Sequence, residues 1–171
     1  MLYTTHYDSP LGGITLGSDG MSLTALQFDG EKYFAEILGQ GHEIKDLPAF
    51  AKAKKWLDIY FSGKDPGFTP PFALKTTPFR QAVCEIMLTI PFGQTMTYGQ
   101  IAEIIAARRG IVRMSAQAVG GAVGHNPISL IIPCHRVVGT NGSLTGYGGG
   151  IDKKAALLEL EGVDTSRFFK P

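Results

Sequence analysis

A proline-rich segment divides this chain into two parts and thereby limits how it can fold. Residues 64–78, KDPGFTPPFALKTTP, contain four prolines. Proline fixes its own backbone dihedral and lacks an amide hydrogen, so the segment is predicted to be a stiff, largely extended connector. The chain has 171 residues, 44% of them hydrophobic, which is enough for two small cores. We predict one domain over residues 1–72 and a second over residues 78–171.

The first part has the pattern of a structural scaffold. Short apolar runs over residues 1–30 are separated by paired or single glycines, which predicts antiparallel strands. A charged stretch broken by glycines follows to about Asp46, and apolar residues then recur at helical spacing, so a helix is predicted to begin near Pro48. His6 and His42 are isolated, which favours surface or packing roles. We expect no catalytic cluster and no zinc site in this part.

The second part is predicted to open with three helices. Residues 77–78, TP, are typical of a helix start, and the apolar stripe that follows has Cys84 on its flank as a packing residue. Residues 97–100, TYGQ, fit a capping box, and the helix they begin is predicted to end in a basic turn at Gly110. Residues 115–124 can form a further helix capped by serine. The last two helices have a helix-turn-helix outline.

The helix over residues 116–124 is unusually rich in glycine. Each of its three glycines costs about 1 kcal/mol relative to alanine in a helix interior. Such glycines indicate that something approaches the backbone closely, either a packed sheet or a narrow groove of DNA. Three nearby arginines, opposed only by Glu103, make the local field positive, which keeps the DNA interpretation open. The residues concerned are Gly120, Gly121 and Gly124, and the arginines Arg108, Arg109 and Arg113.

Cys134 follows an apolar run. Residues 128–132, ISLII, are predicted to form a short buried strand that stops at Pro133. Cys134 comes next, beside His135 and Arg136, and nearby positive charge favours the nucleophilic thiolate. The alternative is a buried structural cysteine. Because adjacent residues of an extended chain point to opposite faces, we favour a bridging water between Cys134 and His135 over a sharp backbone turn.

Three features on either side of Cys134 have both plain and functional interpretations. Asn126 is either a turn residue or a group that orients the loop of Cys134. Residues 146–150, GYGGG, lack Walker-type spacing and could bring backbone amides up to a flat ligand. The last helix is predicted to begin after Asp152 and to end near Gly162. Glu161 in its final turn is either solvated or directed at a histidine.

Bulk properties limit the cellular setting. The net charge is +1, so a nucleic-acid site must be a local patch. Two distant cysteines give neither a disulfide framework nor a zinc pattern, and they favour a reducing cytoplasm. The N-terminus lacks a signal-peptide pattern, and no apolar run is long enough to span a bilayer. We expect a cytoplasmic protein with no membrane partner.

Residues 133–138, PCHRVV, closely resemble the active-site signature of O6-alkylguanine-DNA alkyltransferases. The resemblance covers about residues 78–163 and includes the segments TYGQ (97–100), AVG (118–120), NP (126–127) and LEG (160–162), and Tyr147 with its glycines. It implies an α/β (α+β) fold: a small antiparallel-sheet, ribonuclease H-like domain followed by a helical winged-helix or helix-turn-helix domain that carries the acceptor cysteine.

The resemblance also implies an activity, that of a methylated-DNA–protein-cysteine methyltransferase. Cys134 would take the alkyl group from O6-alkylguanine in double-stranded DNA, irreversibly and once per molecule, with O4-alkylthymine as a further candidate substrate. His135 would generate the thiolate through a water, Glu161 would orient the imidazole, and Asn126 would brace the loop. The protein would act as a monomer that needs no cofactor and no metal.

The substrate would be a flipped base, which an alkylated and weakly paired guanine yields at least cost. Tyr98 would hydrogen-bond the base and contact the adjacent phosphate, while the carbonyls of Cys134 and Val137 would receive the guanine amino group. The amide of Gly148 would meet the O6 atom. The implied substrate-binding set is Tyr98, Val137, Tyr147, Gly148 and Gly149, and the implied DNA-binding set is Ser115, Gln117, Ala118, Gly121, Ala122, Arg113 and Arg136.

One position departs from the family pattern. Gln117 stands where the family commonly has an arginine that fills the gap left by the extruded base. Glutamine can hydrogen-bond the orphan cytosine but lacks the charge and the planar guanidinium. Arg113 is counted as one helical turn before Gln117. We predict that Arg113 takes over part of the role of the family's arginine.

Three other functions fit the sequence less well. A lesion-recognition module would lack the acceptor cysteine. A cysteine hydrolase would need an oxyanion hole, which the sequence does not indicate. A winged-helix regulator has no use for polar groups around Cys134.

Overall fold

The computed structural model describes residues 2–38 and 42–171 and divides the chain into two compact units. The first contains the residues up to Lys75 together with Pro127–Ile131, and the second contains Thr76–Asn126 and Ile132–Pro171. The sequence did not predict the return of residues 127–131 to the first unit. Long-range backbone hydrogen bonds cause it: the Leu26 amide donates to Pro127 O (2.9 Å) and the Ser129 amide donates to Leu26 O (2.9 Å).

The first unit contains a four-stranded sheet in the order β3-β2-β1-β4. The strands are β1 (Leu2–Ser9), β2 (Gly12–Ser18), β3 (Leu23–Phe28) and β4 (His42–Ile44). As predicted, β1, β2 and β3 are antiparallel, and their inward residues, such as Ile14 and Leu26, are fully buried. The edge strand β4 runs parallel to β1.

Two helices accompany this sheet. Helix α2 (Pro48–Phe61) begins where the sequence predicts, with Leu47 at the N-cap, and packs on β1, β2 and β3. The short helix α1 (Phe34–Leu38) and strand β4 lie in the charged stretch broken by glycines, for which the sequence predicted no helix or strand. Strand β4 forms because it pairs with β1. A three-residue strand is too short to show the alternation of apolar and polar residues that indicates a strand in sequence. Residues 39–41 of this stretch lie outside the described residues, as does the side chain of His42.

The second unit contains four helices and a two-stranded parallel pair. The elements are α3 (Pro78–Met87), β5 (Met96–Thr97), α4 (Tyr98–Arg109), α5 (Ala116–Gly124), β6 (Val137–Val138) and α6 (Ile151–Leu160). The predicted caps are confirmed: Thr77 and Ser115 accept amide hydrogen bonds, and Thr97 with Gln100 forms the capping box. Gly110 ends α4 with a left-handed φ of 64°. Helix α6 begins at Ile151, slightly before its predicted start.

The predicted strand over residues 128–132 is wrong. Only Ile128 makes a bridge, to Leu26, and the chain then turns, with Leu130 in the left-handed region at φ 72°. The Ile131 amide donates back to Ser129 O (2.9 Å), which closes the turn. Burial of all five residues, rather than membership of a sheet, explains the apolar run. Among the described residues, no helix is long and apolar enough to cross a membrane.

Candidate active site

Cys134 is placed by a sharp turn of the backbone. It is the first residue of a 3₁₀ turn, Cys134–Arg136, that directly follows Pro133. Its amide donates to Ile132 O (2.8 Å), and the Arg136 amide donates to Pro133 O (3.0 Å). The expectation of an extended chain at this point is therefore wrong, and so is the argument for a bridging water that rested on it. The turn leaves Cys134 only 6% exposed.

His135 is joined to Glu161, a residue 26 positions later in the chain. The distance from His135 Nε2 to Glu161 Oε2 is 2.5 Å, and both side chains are fully buried. Glu161 is the C-cap residue of α6, so the end of that helix is what brings the carboxylate to the turn. Of the two interpretations of Glu161 left open by the sequence, contact with a histidine is the one observed.

Glu161 also accepts two further hydrogen bonds. Arg136 Nε donates to its Oε1 at 2.8 Å, and the Gly93 amide donates to the same oxygen at 2.9 Å. Burial acts to raise the pKa of Glu161, but the hydrogen bonds from His135 and Arg136 and the charge of Arg136 outweigh it and lower the pKa to about 2. The carboxylate is therefore ionised at neutral pH and acts as an acceptor.

The charge state of His135 follows from its burial. Burial lowers the pKa of His135, and the neighbouring Glu161 opposes this without reversing it. A neutral imidazole that donates from Nε2 to a carboxylate keeps Nδ1 as its basic nitrogen. The pair therefore offers a base of fixed tautomer next to Cys134 in the chain.

Arg136 has a structural position that contradicts its predicted contact with DNA. It is 8% exposed, and besides binding Glu161 it donates from Nη1 to Ile90 O at 2.7 Å. Its guanidinium also lies 5.8 Å from the centre of the Phe92 ring. These contacts direct the side chain into the protein, where Arg136 neutralises Glu161. The prediction that Arg136 contacts DNA is therefore wrong.

Asn126 contacts the loop that carries the thiol. Its side-chain amide donates to Ile132 O at 2.8 Å, and the residue is 3% exposed. The same carbonyl accepts the amide of Cys134 (2.8 Å), so the approach to the 3₁₀ turn is held from two directions. A plain surface turn residue would not be buried in this way.

Tyr98 and the glycine-rich loop form a second part of the site. Tyr98, the first residue of α4, donates its hydroxyl to Thr145 O at 3.0 Å. Burial raises the pKa of Tyr98, as does Cys134, so its hydroxyl remains a proton donor. Gly146 has a φ of 89°, and a Cβ there would collide with the Tyr98 hydroxyl. Only glycine allows the loop to pass this close to the tyrosine.

Lys154 belongs to the same cluster, and the sequence interpretation missed it. The residue lies on α6 and is 0% exposed. Its Nζ donates to Thr145 O at 3.1 Å and lies 5.7 Å from the centre of the Tyr98 ring. A lysine followed by alanines gives little sign of burial in sequence, although its spacing of seven residues from Glu161 places both on one face of a helix.

Two family models match the chain. Residues 2–74 match the 6-O-methylguanine DNA methyltransferase, ribonuclease-like domain, and residues 78–163 match the 6-O-methylguanine DNA methyltransferase, DNA binding domain. This chain belongs to the 6-O-methylguanine DNA methyltransferase family. Both the predicted family and the predicted fold class are confirmed.

Individual relatives agree with the family models. A protein of Mycobacterium tuberculosis strain H37Rv named methylated-DNA–protein-cysteine methyltransferase is 45% identical, over 94% of this chain and 93% of that protein. A protein of the same name in Haemophilus influenzae is 40% identical, over 95% of this chain and 87% of that protein. The crystal structure of Mycobacterium tuberculosis OGT in complex with DNA is similar with a TM-score of 0.79 and 44% identity, covering 98% of this chain and 94% of that one.

In this member of the methyltransferase family, two of the glycines of α5, Gly120 and Gly121, are not explained by internal packing. A Cβ at Gly121 would meet nothing within 4 Å, and one at Gly120 would reach only the Tyr98 ring, at 4.0 Å. Gln117 and Ala118 are also exposed on this helix. The alternative of tight packing therefore has no support at Gly121, and close approach by an external surface is the interpretation that remains.

Two details of the predicted DNA surface are corrected. Ala122 is 4% exposed and therefore faces the interior, unlike its exposed neighbour Gly121. Arg113 is exposed but precedes the N-cap residue Ser115, so it lies in the turn between α4 and α5 and not one helical turn before Gln117.

The remaining residues that are predicted to bind the substrate lie in the glycine-rich loop and in β6. Val137 is fully buried, and its amide donates to Cys134 O. Tyr147 is 8% exposed, whereas Gly148 and Gly149 are half-buried in the turn that precedes α6.

Proposed function

We propose that this chain repairs DNA directly by transferring the alkyl group of O6-alkylguanine to Cys134. The observation that carries the proposal is the 3₁₀ turn that presents Cys134 beside a histidine whose tautomer is fixed by an ionised, buried Glu161. A thiol with only a packing role has no need of this arrangement. Membership of the methyltransferase family and the DNA-binding domain model support the same activity.

The reaction is a nucleophilic displacement. Following what the family resemblance implies, Nδ1 of His135 takes the thiol proton of Cys134 through one water, which is acceptable geometry for a general base. The thiolate attacks the alkyl carbon, the S–C bond forms, and the bond from that carbon to guanine O6 breaks. Guanine leaves as an anion stabilised by a donor such as the Tyr98 hydroxyl. The net reaction exchanges the alkyl group for the thiol proton.

The product explains why each molecule acts once. A thioether on Cys134 has lost the proton and the lone-pair basicity that made the thiolate a nucleophile. Reversal would need a second nucleophile at the same carbon. Cys84 does not supply it, because burial, with smaller contributions from Cys134 and Glu85, raises its pKa to about 12.

Base recognition uses the second part of the site. The carbonyls of Cys134 and Val137 accept hydrogen bonds from the guanine amino group, and the Gly148 amide donates to O6. Tyr147 and Gly149 complete the wall of the pocket. Asn126 keeps the loop in place because it binds the carbonyl that also receives the Cys134 amide.

DNA is bound through α5 and the turn before it. The exposed Gly121 allows the helix backbone to enter a groove, while Ser115, Gln117 and Ala118 line the same side. Arg113 contributes positive charge from the turn, and such charge supplies most of the non-specific affinity for DNA. We expect the protein to act as a monomer in the cytoplasm without a cofactor; O4-alkylthymine is a further candidate substrate.

The test is the intact mass of the protein after incubation with a duplex that contains one O6-methylguanine. We expect a gain of one methyl group per chain, saturating at one. The Cys134→Ala variant should gain nothing, and Cys84→Ala, the matched control at the other cysteine, should behave as the wild type. A gain that exceeds one methyl group, or that persists in Cys134→Ala, would contradict the proposal.

A further inference from the structure

The turn between α4 and α5 presents an apolar side chain to solvent. Val112 is fully exposed, and it is the most exposed large hydrophobic residue in the described part of the chain. A single exposed valine on a protein surface needs no explanation by itself. This one differs because its turn is held in a fixed conformation, carries positive charge and adjoins the glycine-rich helix.

The backbone fixes the conformation of the turn. Gly110 has a left-handed φ of 64°, its amide donates to Ala107 O (3.3 Å), and the Ile111 amide donates to Ala106 O (3.0 Å). Both bonds belong to a Schellman cap, in which the residue after the glycine packs partly on its own helix. Ile111 is accordingly only 43% exposed. Val112 follows this cap, so it is carried on an ordered support and projects into solvent.

The charges around Val112 are positive. Arg108, Arg109 and Arg113 are all exposed. In the sequence, Glu103 is the last acidic residue before Asp152, so one carboxylate opposes three guanidinium groups. An apolar tip among arginines complements a groove of DNA, because rows of phosphates form the edges of the groove and uncharged base edges form its floor.

The turn and α5 form one continuous surface. Val112 precedes the N-cap residue Ser115 by three residues, which span at most about 10 Å, and both line the same cleft. None of the exposed residues at positions 117, 118 and 121 of α5 carries a large apolar side chain. A helix face without bulk suits the minor groove, which is about 6 Å wide, whereas the major groove admits an ordinary helix.

We propose that Val112 is an apolar wedge that enters the minor groove of the substrate duplex beside α5. The inference rests on the proposed function and deepens it, because it names a DNA contact that acts by burial of apolar area and not by charge. Proteins that bind the minor groove frequently insert apolar side chains at base steps and partly unstack them. A step that is already unstacked lowers the cost of extruding the alkylated base.

The test compares Val112→Ser with Val112→Leu in a Cys134→Ala background, so that a duplex with one O6-methylguanine stays unreacted. Fluorescence anisotropy measures the dissociation constant between about 50 and 200 mM KCl. We expect Val112→Ser to bind about five- to tenfold more weakly at every salt concentration, because burial of a valine side chain is worth about a factor of ten in affinity. Val112→Leu should bind like the parent. Arg113→Gln should instead reduce the salt dependence, by about one in the logarithmic slope.

A second readout reports unstacking. The fluorescence of 2-aminopurine placed beside the lesion rises when the base loses its stacking partner. At saturating protein, this rise should be smaller for Val112→Ser than for the parent. Met21→Ser is the matched control, because Met21 is 84% exposed in the first unit, and it should change neither readout.

Three results would overturn the inference. The first is an affinity of Val112→Ser equal to that of the parent at every salt concentration. The second is a weaker affinity with an unchanged 2-aminopurine signal, which would make Val112 a groove contact and not a wedge. The third is unchanged DNA binding with a loss of self-association in sedimentation without DNA, which would assign the tip to a second copy of the chain. Absence of methyl transfer by the unaltered chain overturns the proposed function instead, and the affinity comparison still decides the role of Val112.

Discussion

Replacement of Glu161 by glutamine should destabilise the protein in a strongly pH-dependent way. The carboxylate has a pKa of about 2 in the folded protein and an ordinary value of 4.5. A difference of this size corresponds to about 3 kcal/mol of folding free energy at neutral pH. Glutamine keeps the shape but not the charge, so Glu161→Gln should lose about 3 kcal/mol at pH 7 and leave Arg136 buried without its counterion.

The sign of the pH effect is fixed by the direction of the shift. A carboxyl group whose pKa is lower in the folded state stabilises that state at pH values above its unfolded pKa. This stabilisation is lost as the pH falls towards the folded pKa, because the unfolded chain takes up the proton first. For the wild type the loss begins near pH 4.5, and the variant has no such group to titrate. The difference between the two proteins should therefore narrow by about 1–2 kcal/mol between pH 7 and pH 3.5.

Urea unfolding followed by circular dichroism at 222 nm measures this difference at each pH. Glu159→Gln is the matched control, because Glu159 is exposed on the same helix, and its effect should stay within about 0.5 kcal/mol throughout. A destabilisation by Glu161→Gln that does not change with pH would refute the reasoning, since it would mean that shape and hydrogen bonding, and not the charge, stabilise the turn.

Three further predictions concern DNA and Arg136. Gly121→Leu should slow methyl transfer from duplex DNA, because the leucine side chain would point into the open space that the DNA must occupy, but it should not slow the reaction with free O6-benzylguanine. The stability of this variant, measured by thermal unfolding, should stay the same or rise by up to about 1 kcal/mol. Arg113→Ala should likewise slow repair of duplex DNA far more than reaction with the free base, and Gln117→Arg should offset that loss; equal slowing of both reactions by Arg113→Ala would remove Arg113 from the DNA surface. Arg136→Ala should cost about 3–5 kcal/mol of stability because it leaves Glu161 charged and buried, whereas a variant of normal stability that binds DNA poorly would restore the original assignment of Arg136 to DNA.

The helices of the second unit were largely predictable because their starts are local. A Thr, Ser or capping-box residue satisfies amides two or three positions later, so the signal and its partner are close in sequence. The same holds for the three antiparallel strands, which are joined by short turns. Elements formed by distant partners were missed: β4 exists through β1, and residues 127–131 join the first unit through Leu26.

The same contrast between local and distant partners applies to the candidate active site. Residues 133–138 predict the nucleophile and its base directly, because their order in the chain resembles the active-site signature of the family. The fate of Arg136 could not be decided from sequence, because an arginine beside a histidine can face DNA or the interior equally well. Its partners, Ile90 and Glu161, are 46 and 25 residues away.

The sequence by itself determined the family, the proposed nucleophile and the starts of the helices, since each depends on residues within a few positions of one another. Only the tertiary structure decided which charges are buried and what they meet. Glu161 could have been solvated, Arg136 could have bound DNA, and Lys154 could have covered a surface. Packing of α6 against the 3₁₀ turn places Glu161 beside His135 and Arg136, and the fold encloses Lys154 next to Tyr98. Burial is a property of the whole fold, and the same side chain acquires a different charge balance and a different role once water is removed from it.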